Sequence, residues 1–372
     1  MTSVDFPFET LRRWPDIEAP GLPAVDAADR LILDESATAR SHLSGSDIAV
    51  IGDGYGALTL AAATTTGAVR VHQDALTGER ALAANAARLG VSPHRFASLP
   101  LGADLVAGAR VVLVRLPRSL DALADIAGLV AAHAHPDVIV YAGGRIKHLS
   151  LTMNDVLRER FARLDVTHAR QKSRVLVARR PHGGTDPAPR RAVHDGLVVC
   201  AYGGVFAGTS IDIGTRLLLA HLPDAVPEHG LLVDLACGTG VVAATLARRH
   251  PDRRVYASDQ SAAAVASARA TAAANTVADR VEVVRDDGLE RLDAGAAALI
   301  ALNPPFHTGA AVHDRLAPRL FTHAARALRT GGELWTVWNS HLRYRAPLER
   351  IVGPTRQVAR NAKFTVTAST KR

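Results

Sequence analysis

Leu231-Leu232-Val233-Asp234-Leu235-Ala236-Cys237-Gly238-Thr239-Gly240 decides how this chain folds. An apolar run broken by one acid reads as a buried strand. The glycines that follow make a tight turn, and Val241 to Arg249 reads as a helix. Strand, glycine turn and helix in that order open a doubly wound sheet. Working outward, Val255 to Asp259 is a second strand with its acid at the tip, and Ala262 to Asn275 is helical. Val281 to Gly288 is a third strand, and Ala297 to Leu302 a fourth. Arg315 to Leu328 reads as a helix stopped by Gly331-Gly332, with further strands at Glu333 to Trp338 and Lys363 to Ala368.

The fourth strand stops at Asn303-Pro304-Pro305-Phe306-His307. Two prolines cannot continue a sheet ladder, and a residue before proline is pushed away from the helical region. The plain alternative is a Pro-rich turn with a core Phe. An Asn amide, two rigid carbonyls and an aromatic face at a strand tip also suit a planar base with an exocyclic amine. The Asn303 oxygen and the Pro304 carbonyl would accept the two N–H bonds, and Phe306 would stack on the ring. At the other strand tips, Asp259 suits the two hydroxyls of a ribose. Asp287 stands where an acceptor for an adenine amine belongs, with Asp286 as the competing choice. No Gly-Lys-Ser/Thr follows the glycine turn, which excludes a phosphate-binding loop, and the turn lacks the GxGxxG spacing of dinucleotide enzymes.

The first half repeats the pattern. Strand Asp47 to Ile51 enters Gly52-Asp53-Gly54-Tyr55-Gly56, followed by helix Ala57 to Thr64. Strand Val69 to His72 ends at Gln73-Asp74, helix Glu79 to Leu89 follows, and strand Val111 to Val114 ends at Arg115-Leu116-Pro117-Arg118. Helix Leu120 to His133 and strands Asp137 to Tyr141 and Arg174 to Ala178 complete it, while the segment up to about Asp34 reads as an irregular lead-in. From the last glycine to the strand-tip acid is 18 residues in the first half and 19 in the second; from there to the fourth tip is 41 and 44. Arg115-Leu116-Pro117-Arg118 therefore stands where Asn303-Pro304-Pro305-Phe306 stands. The fold class is α/β: two tandem Rossmann-like domains with mostly parallel sheets, the first degenerate. The first spans 1–180, a Pro/Gly linker 181–193, and the second 194–372.

Charge is uneven. The chain carries +8 overall, but residues 1–137 carry −5, residues 138–180 carry +7 and residues 338–372 carry +7. Two basic patches suit a polyanion. Arg115, Arg118, Arg145, Lys147 and Arg343 are the candidates for holding its charged groups, which the resemblance below would make the phosphates of RNA. The two cysteines, Cys200 and Cys237, form no framework, which suits a reducing cytoplasm. No signal peptide and no membrane-length apolar run is expected.

Asp234-Leu235-Ala236-Cys237-Gly238-Thr239-Gly240, Asp259 and Asn303-Pro304-Pro305-Phe306 resemble class I S-adenosylmethionine methyltransferases acting on exocyclic amines. His307, with Val205-Phe206 and Asp212-Ile213-Gly214-Thr215-Arg216, narrows the resemblance to the RsmC/RlmG family of ribosomal-RNA guanine-N2 methyltransferases. That family has two tandem domains, the first degenerate, and the likeness covers nearly the whole chain. Val114 to Leu120, Asn339 to Tyr344 and Asn361 to Phe364 lean to the large-subunit RlmG branch. One departure stands out: the family reads Val-Phe-Ser-Arg where this chain has Val205-Phe206-Ala207-Gly208.

The resemblance implies methyl transfer to a guanine N2 in ribosomal RNA, 23S ahead of 16S. It implies S-adenosylmethionine held by Asp234, Ala236, Cys237, Gly238, Gly240, Asp259, Gln260, Asp286, Asp287 and Asn303, with Asn303, Pro304, Pro305 and Phe306 as the catalytic set. It implies ribosomal RNA or a ribosomal subunit as the partner and no metal. A cytoplasmic monomer is expected as well, since the cysteines suit a reducing compartment and a second domain would occupy the surface a dimer uses. The rival functions are methylation of adenine N6 or protein glutamine, and a non-catalytic RNA assembly factor that binds S-adenosylmethionine.

Overall fold

The computed structural model describes residues 6–224, 226, 228–305 and 310–372, the side chains of 310–314 excepted. The chain divides into two compact units, Met1–Ala188 and Pro189–Arg372. The break lies inside the 181–193 segment, although the strand Arg190–His194 takes up its last residues and runs one beyond it.

The first unit opens with α1 (Ala27–Arg40), then β1 (Ile48–Ile51), α2 (Ala57–Thr66), β2 (Val69–His72), α3 (Leu76–Arg88) and β3 (Phe96–Ser98). After the short α4 (Ala103–Val106) come β4 (Val111–Arg115), α5 (Leu120–His133), β5 (Ile139–Arg145), α6 (Leu151–Arg158), β6 (Phe161–Val166) and β7 (Ser173–Pro181). The strand order is β3-β2-β1-β4-β5-β7-β6. The first five strands run parallel, and β7 is antiparallel to both neighbours. β1 and β4 are buried on both faces, as apolar strands between helix layers must be. The lead-in expected to be irregular up to about Asp34 is corrected at its end: the described residues up to Asp26 hold only the short 3-10 turn Phe8–Thr10, but Ala27 to Asp34 belong to helix α1. Asp26 caps α1 by accepting from Ala28, and Asp29 reaches back to the Asp26 backbone. This is a capping box made with Asp at both positions instead of the usual Ser/Thr and Glu.

The second unit begins with a hairpin, β8 (Arg190–His194) and β9 (Leu197–Ala201), then α7 (Ile213–Leu219), β10 (Leu231–Leu235), α8 (Val241–Arg249), β11 (Val255–Asp259) and α9 (Ala262–Ala274). It continues with β12 (Val281–Arg285), β13 (Ala297–Leu302), α10 (Ala310–Ala327), β14 (Leu328–Asn339), α11 (Arg345–Ile351), β15 (Thr355–Arg360) and β16 (Phe364–Thr370). The order β12-β11-β10-β13-β14-β16-β15 matches the first sheet strand for strand. The hairpin is tied to α9 through Val198 to Asn275, Cys200 to Thr271 and Tyr202 to Ser267. Among the described residues, no helix is long and apolar enough to cross a membrane.

Register fixes which residues correspond. Ile51 stands opposite His72 and Val114, as Leu235 stands opposite Ser258 and Leu302. Arg115 therefore corresponds to Asn303. The residue matching Asp259 is Gln73 and not Asp74, one position from where the spacing had set the first-half acid.

Candidate active site

At the C-terminal edge of the second sheet, β10 runs into a turn that the chain can make only with unusual backbone angles. Ala236, Gly238 and Gly240 all have positive φ (59°, 53° and 74°). The two glycines serve different ends. A Cβ on Gly240 would lie 2.8 Å from the Ala268 Cβ, so this glycine lets α8 pack against α9. A Cβ on Gly238 would meet nothing within 4 Å, so its face of the turn is open. An open face on a left-handed backbone is what a ligand approaching the main chain needs.

Acids hold this turn in place. Asp234 is 3% exposed, and its Oδ2 accepts from the Ala243 N–H at 2.9 Å, satisfying a donor in the first turn of α8. Burial raises its pKa to about 7, against the pull of that N–H. Asp259 accepts from Gly238 N–H at 3.0 Å and from Ser261 N–H at 2.9 Å, joining the tip of β11 to the glycine turn. Cys237 is buried, and desolvation with Asp234 and Asp259 nearby raises its thiol well above the ordinary value. It is an inert part of the wall and not a nucleophile. Gln260 follows Asp259, and its carbonyl accepts from the Arg285 side chain.

The two acids after β12 have partners of their own. Asp286 is fully buried, with one oxygen on Asp287 N–H at 2.8 Å and the other on Arg291 N–H at 2.9 Å. It shapes the turn. Asp287 is paired with Arg319 of α10.

Asn303 follows β13 directly. Its Nδ2 donates to Asp212 Oδ2 at 3.0 Å and to Thr215 Oγ1 at 2.9 Å. Asp212 is the N-cap of α7, accepting from Gly214 N–H at 2.8 Å and Thr215 N–H at 3.1 Å, and Thr215 Oγ1 donates to it as well. A carboxylate accepts only, so it fixes the amide with nitrogen toward α7 and oxygen away. That oxygen, Asn303 Oδ1, is buried and has no hydrogen-bond partner. A buried acceptor left unpaired is rare and costly. Here it marks a place for a donor to arrive. The cleft beside it is lined by Phe206, Asp212, Thr215, Asp234, Gly238 and Asn303, among others. Pro304 is buried and Pro305 exposed, while Phe306 and His307 lie outside the described residues. Sequence reasoning cited Asp212 and Thr215 only as part of a resemblance. Their task was signalled by an Asp two residues before a glycine at a helix start.

The matching place in the first unit is closed. Gln73 Nε2 donates to the carbonyls of Asp53 (2.6 Å) and Gly54 (3.3 Å), where Asp259 in the second unit accepts from the turn. Asp53 is buried and satisfies Gly56 and Thr59 N–H, and its pKa is raised by that burial. Tyr55 donates to Asp16, and Asn85 donates to the carbonyls of Arg12 and Tyr55, so the N-terminal segment lies across the turn. Arg115 is ion-paired with Asp26 at 3.0 Å and Asp29 at 3.2 Å. It is engaged inside the fold, unlike the exposed Arg118 and Lys147. Arg145 is half-buried, and Arg343 is exposed just beyond β14.

Residues 196–368 match the methyltransferase small domain and residues 1–182 the RLMG N-terminal domain. The chain is thus a methyltransferase of two Rossmann-like domains, as the strand orders also indicate. It is similar along its length to proteins named ribosomal RNA large subunit methyltransferase G. The one from Streptomyces avermitilis is 36% identical, covering 97% of each chain, and the one from Shewanella amazonensis is 32% identical, covering 97% of this chain and 96% of its own. This chain belongs to that family, the large-subunit branch that Asn339 to Tyr344 pointed to. The fold is shared with the Thermus thermophilus 16S rRNA N2 G1207 methyltransferase RsmC, solved with AdoMet and guanosine (TM-score 0.74, 21% identity, 96% of this chain and 97% of that one).

Proposed function

We propose that this chain transfers a methyl group from S-adenosylmethionine to the exocyclic N2 amine of a guanine in large-subunit ribosomal RNA. The observation that carries the reading is the Asn303 amide, locked by Asp212 and Thr215 with its Oδ1 buried and unpaired. The open face at Gly238 and the acids Asp234 and Asp259 fit the cofactor, with Gln260 and the Asp286-Asp287 turn beside them. S-adenosylmethionine supplies the methyl on a sulfonium, so the S–CH₃ bond breaks as the N–CH₃ bond forms and a thioether leaves.

The chain's own residues supply orientation. A guanine N2 lone pair is delocalised into the ring and is a poor nucleophile. Asn303 Oδ1 and the Pro304 carbonyl accept its two N–H bonds, favour a more tetrahedral nitrogen and aim the lone pair. One of those protons then passes to solvent. The target base leaves its stack to enter, and Phe306 offsets part of that cost by stacking.

RNA is held by its phosphates in this reading. Arg118, Lys147 and Arg145 lie close enough to His148 to help burial lower its pKa. In the second unit a cleft of ≈ 820 Å³ is lined by Arg216, Arg248 and Arg249 against the single acid Asp195. Arg343 adds charge beyond the tip of β14. The same reading makes the protein a cytoplasmic monomer that works without a metal. Light scattering during gel filtration and activity in chelator check the last two.

The test is labelled methyl transfer into ribosomal RNA from a strain lacking this protein, followed by nucleoside analysis. Wild type yields labelled N2-methylguanosine, and Asn303→Ala yields almost none while still binding S-adenosylmethionine. Transfer by Asn303→Ala at near wild-type rate sinks the assignment.

A further inference from the structure

Asn303 is not alone at this sheet edge. Asn339 closes β14, the strand that runs parallel beside β13, and its Oδ1 is also buried without a hydrogen-bond partner. Parallel neighbours end at the same edge. Leu302 stands opposite Thr336, so Asn339 lies two residues past the position beside Asn303. With a rise of about 3.3 Å per residue and strands about 4.8 Å apart, the two Cα atoms are roughly 8 Å from each other. They share a face as well. Leu299 and Ala301 pack into the same core as Trp335 and Val337, and alternation carries Asn303 and Asn339 to that side. Helix α7 covers this face at both tips. Its cap holds Asn303, and a Cβ on Gly214 would sit 3.2 Å from the ring of Phe364, the residue paired with Asn339.

Two orphaned acceptors on adjacent tips call for a ligand with two donors at matching spacing. The pairing edge of guanine has them: the N2 amine and the ring N1–H, followed by the acceptor O6. Adenine, offering its amine to Asn303, would bring the lone pair of its N1 instead. Building on the guanine reading above, we propose that Asn339 is the specificity residue: its Oδ1 accepts the guanine N1–H while Asn303 grips N2. Its own Nδ2 then faces O6. A site that buries an acceptor for one N–H rejects an analogue lacking it, because the acceptor is left unpaired.

The experiment competes free nucleosides against ribosomal-RNA methylation by the full chain. One is guanosine. The other is 2-aminopurine riboside, which keeps the C2 amine but has a lone pair at N1 and no O6. In wild type guanosine inhibits at a concentration lower by at least about tenfold. In Asn339→Leu that ratio falls toward one. In Asn339→Gln, which keeps both the acceptor and the amide donor, part of the preference returns, and S-adenosylmethionine binding is unchanged in both. No preference in wild type, or a preference undiminished in Asn339→Leu, overturns the proposal. Digestion of the methylated RNA separates the two readings. Label on a base other than guanine overturns the reaction itself, whereas N2-methylguanosine with an unaltered nucleoside ratio overturns Asn339 alone.

Discussion

Replacing Asn303 by Asp turns the amide lock into a proton switch. The new carboxyl keeps the shape of Asn303 but sets an oxygen where Nδ2 sat, 3.0 Å from Asp212 Oδ2. With both acids ionised, charge centres about 4 Å apart repel by about 4 kcal/mol at an effective dielectric near 20. That equals roughly 3 pKa units, so one proton is shared by the pair up to a pH of about 7, against about 3.9 for a free Asp. Below that pH the protonated member donates across the pair, and the outer oxygen of the new carboxyl still accepts from the amine. Above it the repulsion loosens the cap of α7 and the strand tip together. The folded-state pKa is raised, so the stability it brings is full below about pH 4 and is lost as the pH climbs through about 7. Methyl transfer by Asn303→Asp, measured against wild type from pH 5.5 to 9, should retain a substantial fraction of the rate at the acid end. It should fall at least tenfold toward pH 9, with Asn303→Ala inactive throughout. A ratio of Asn303→Asp to wild type that is flat with pH refutes the orientation argument.

Asp234, raised to about 7 by burial, should ionise when a cationic cofactor arrives, so S-adenosylmethionine affinity rises with pH from 6 to 8 in calorimetry and is flat in Asp234→Asn. Without cofactor the sign reverses: wild type loses stability relative to Asp234→Asn as the pH rises from about 4 through 7. The first unit, closed by Gln73 and the Arg12 to Asp16 segment, should leave one S-adenosylmethionine site per chain, and a stoichiometry of two would contradict that closure. Removing charge from Arg118, Arg145 and Lys147 together should reduce the salt slope of single-stranded RNA binding by about 2, at about 0.7 per phosphate contact. Arg115→Gln should leave that slope alone and instead lower the thermal stability of the first unit by about 2 kcal/mol, because Asp26 and Asp29 lose their cation.

The second-half fold was readable because each strand is an apolar run with a functional tip: Asp259 ends β11, and Asn303 follows β13. Periodicity and turn chemistry both mark such edges. The first half was readable by its repeat, but its details were not. Gln73 carries no strand-tip signature, whereas Asp74, one residue beyond, does. Only register showed that an amide donor had replaced an acceptor. Helix α1 was hidden for a similar reason, since Asp26 and Asp29 make a capping box with residues common in any loop. The partners of Asp286 and Arg115 were invisible in principle. A carboxylate that satisfies two backbone N–H groups and one that waits for a ligand have the same letter, and contacts across 89 residues of chain leave no local trace.

Arg115 explains why one copy keeps chemistry and the other does not. In both units a helix cap acid reaches the residue after or at the end of the central strand: Asp26 of α1 reaches Arg115, and Asp212 of α7 reaches Asn303. The scaffold contact is the same. What differs is the group left over once the cap is satisfied. A guanidinium has donors only, so after pairing with Asp26 and Asp29 it offers no acceptor to an amine. An amide bound through its nitrogen must present its oxygen, and here that oxygen is buried and unpaired. Exchanging Arg115 for Asn would not restore activity by itself, because Gln73 and Asp53 fill the neighbouring turn. The two losses reinforce each other: a closed cofactor site removes any use for an amine grip, and an ion pair across the tip adds stability that the grip does not.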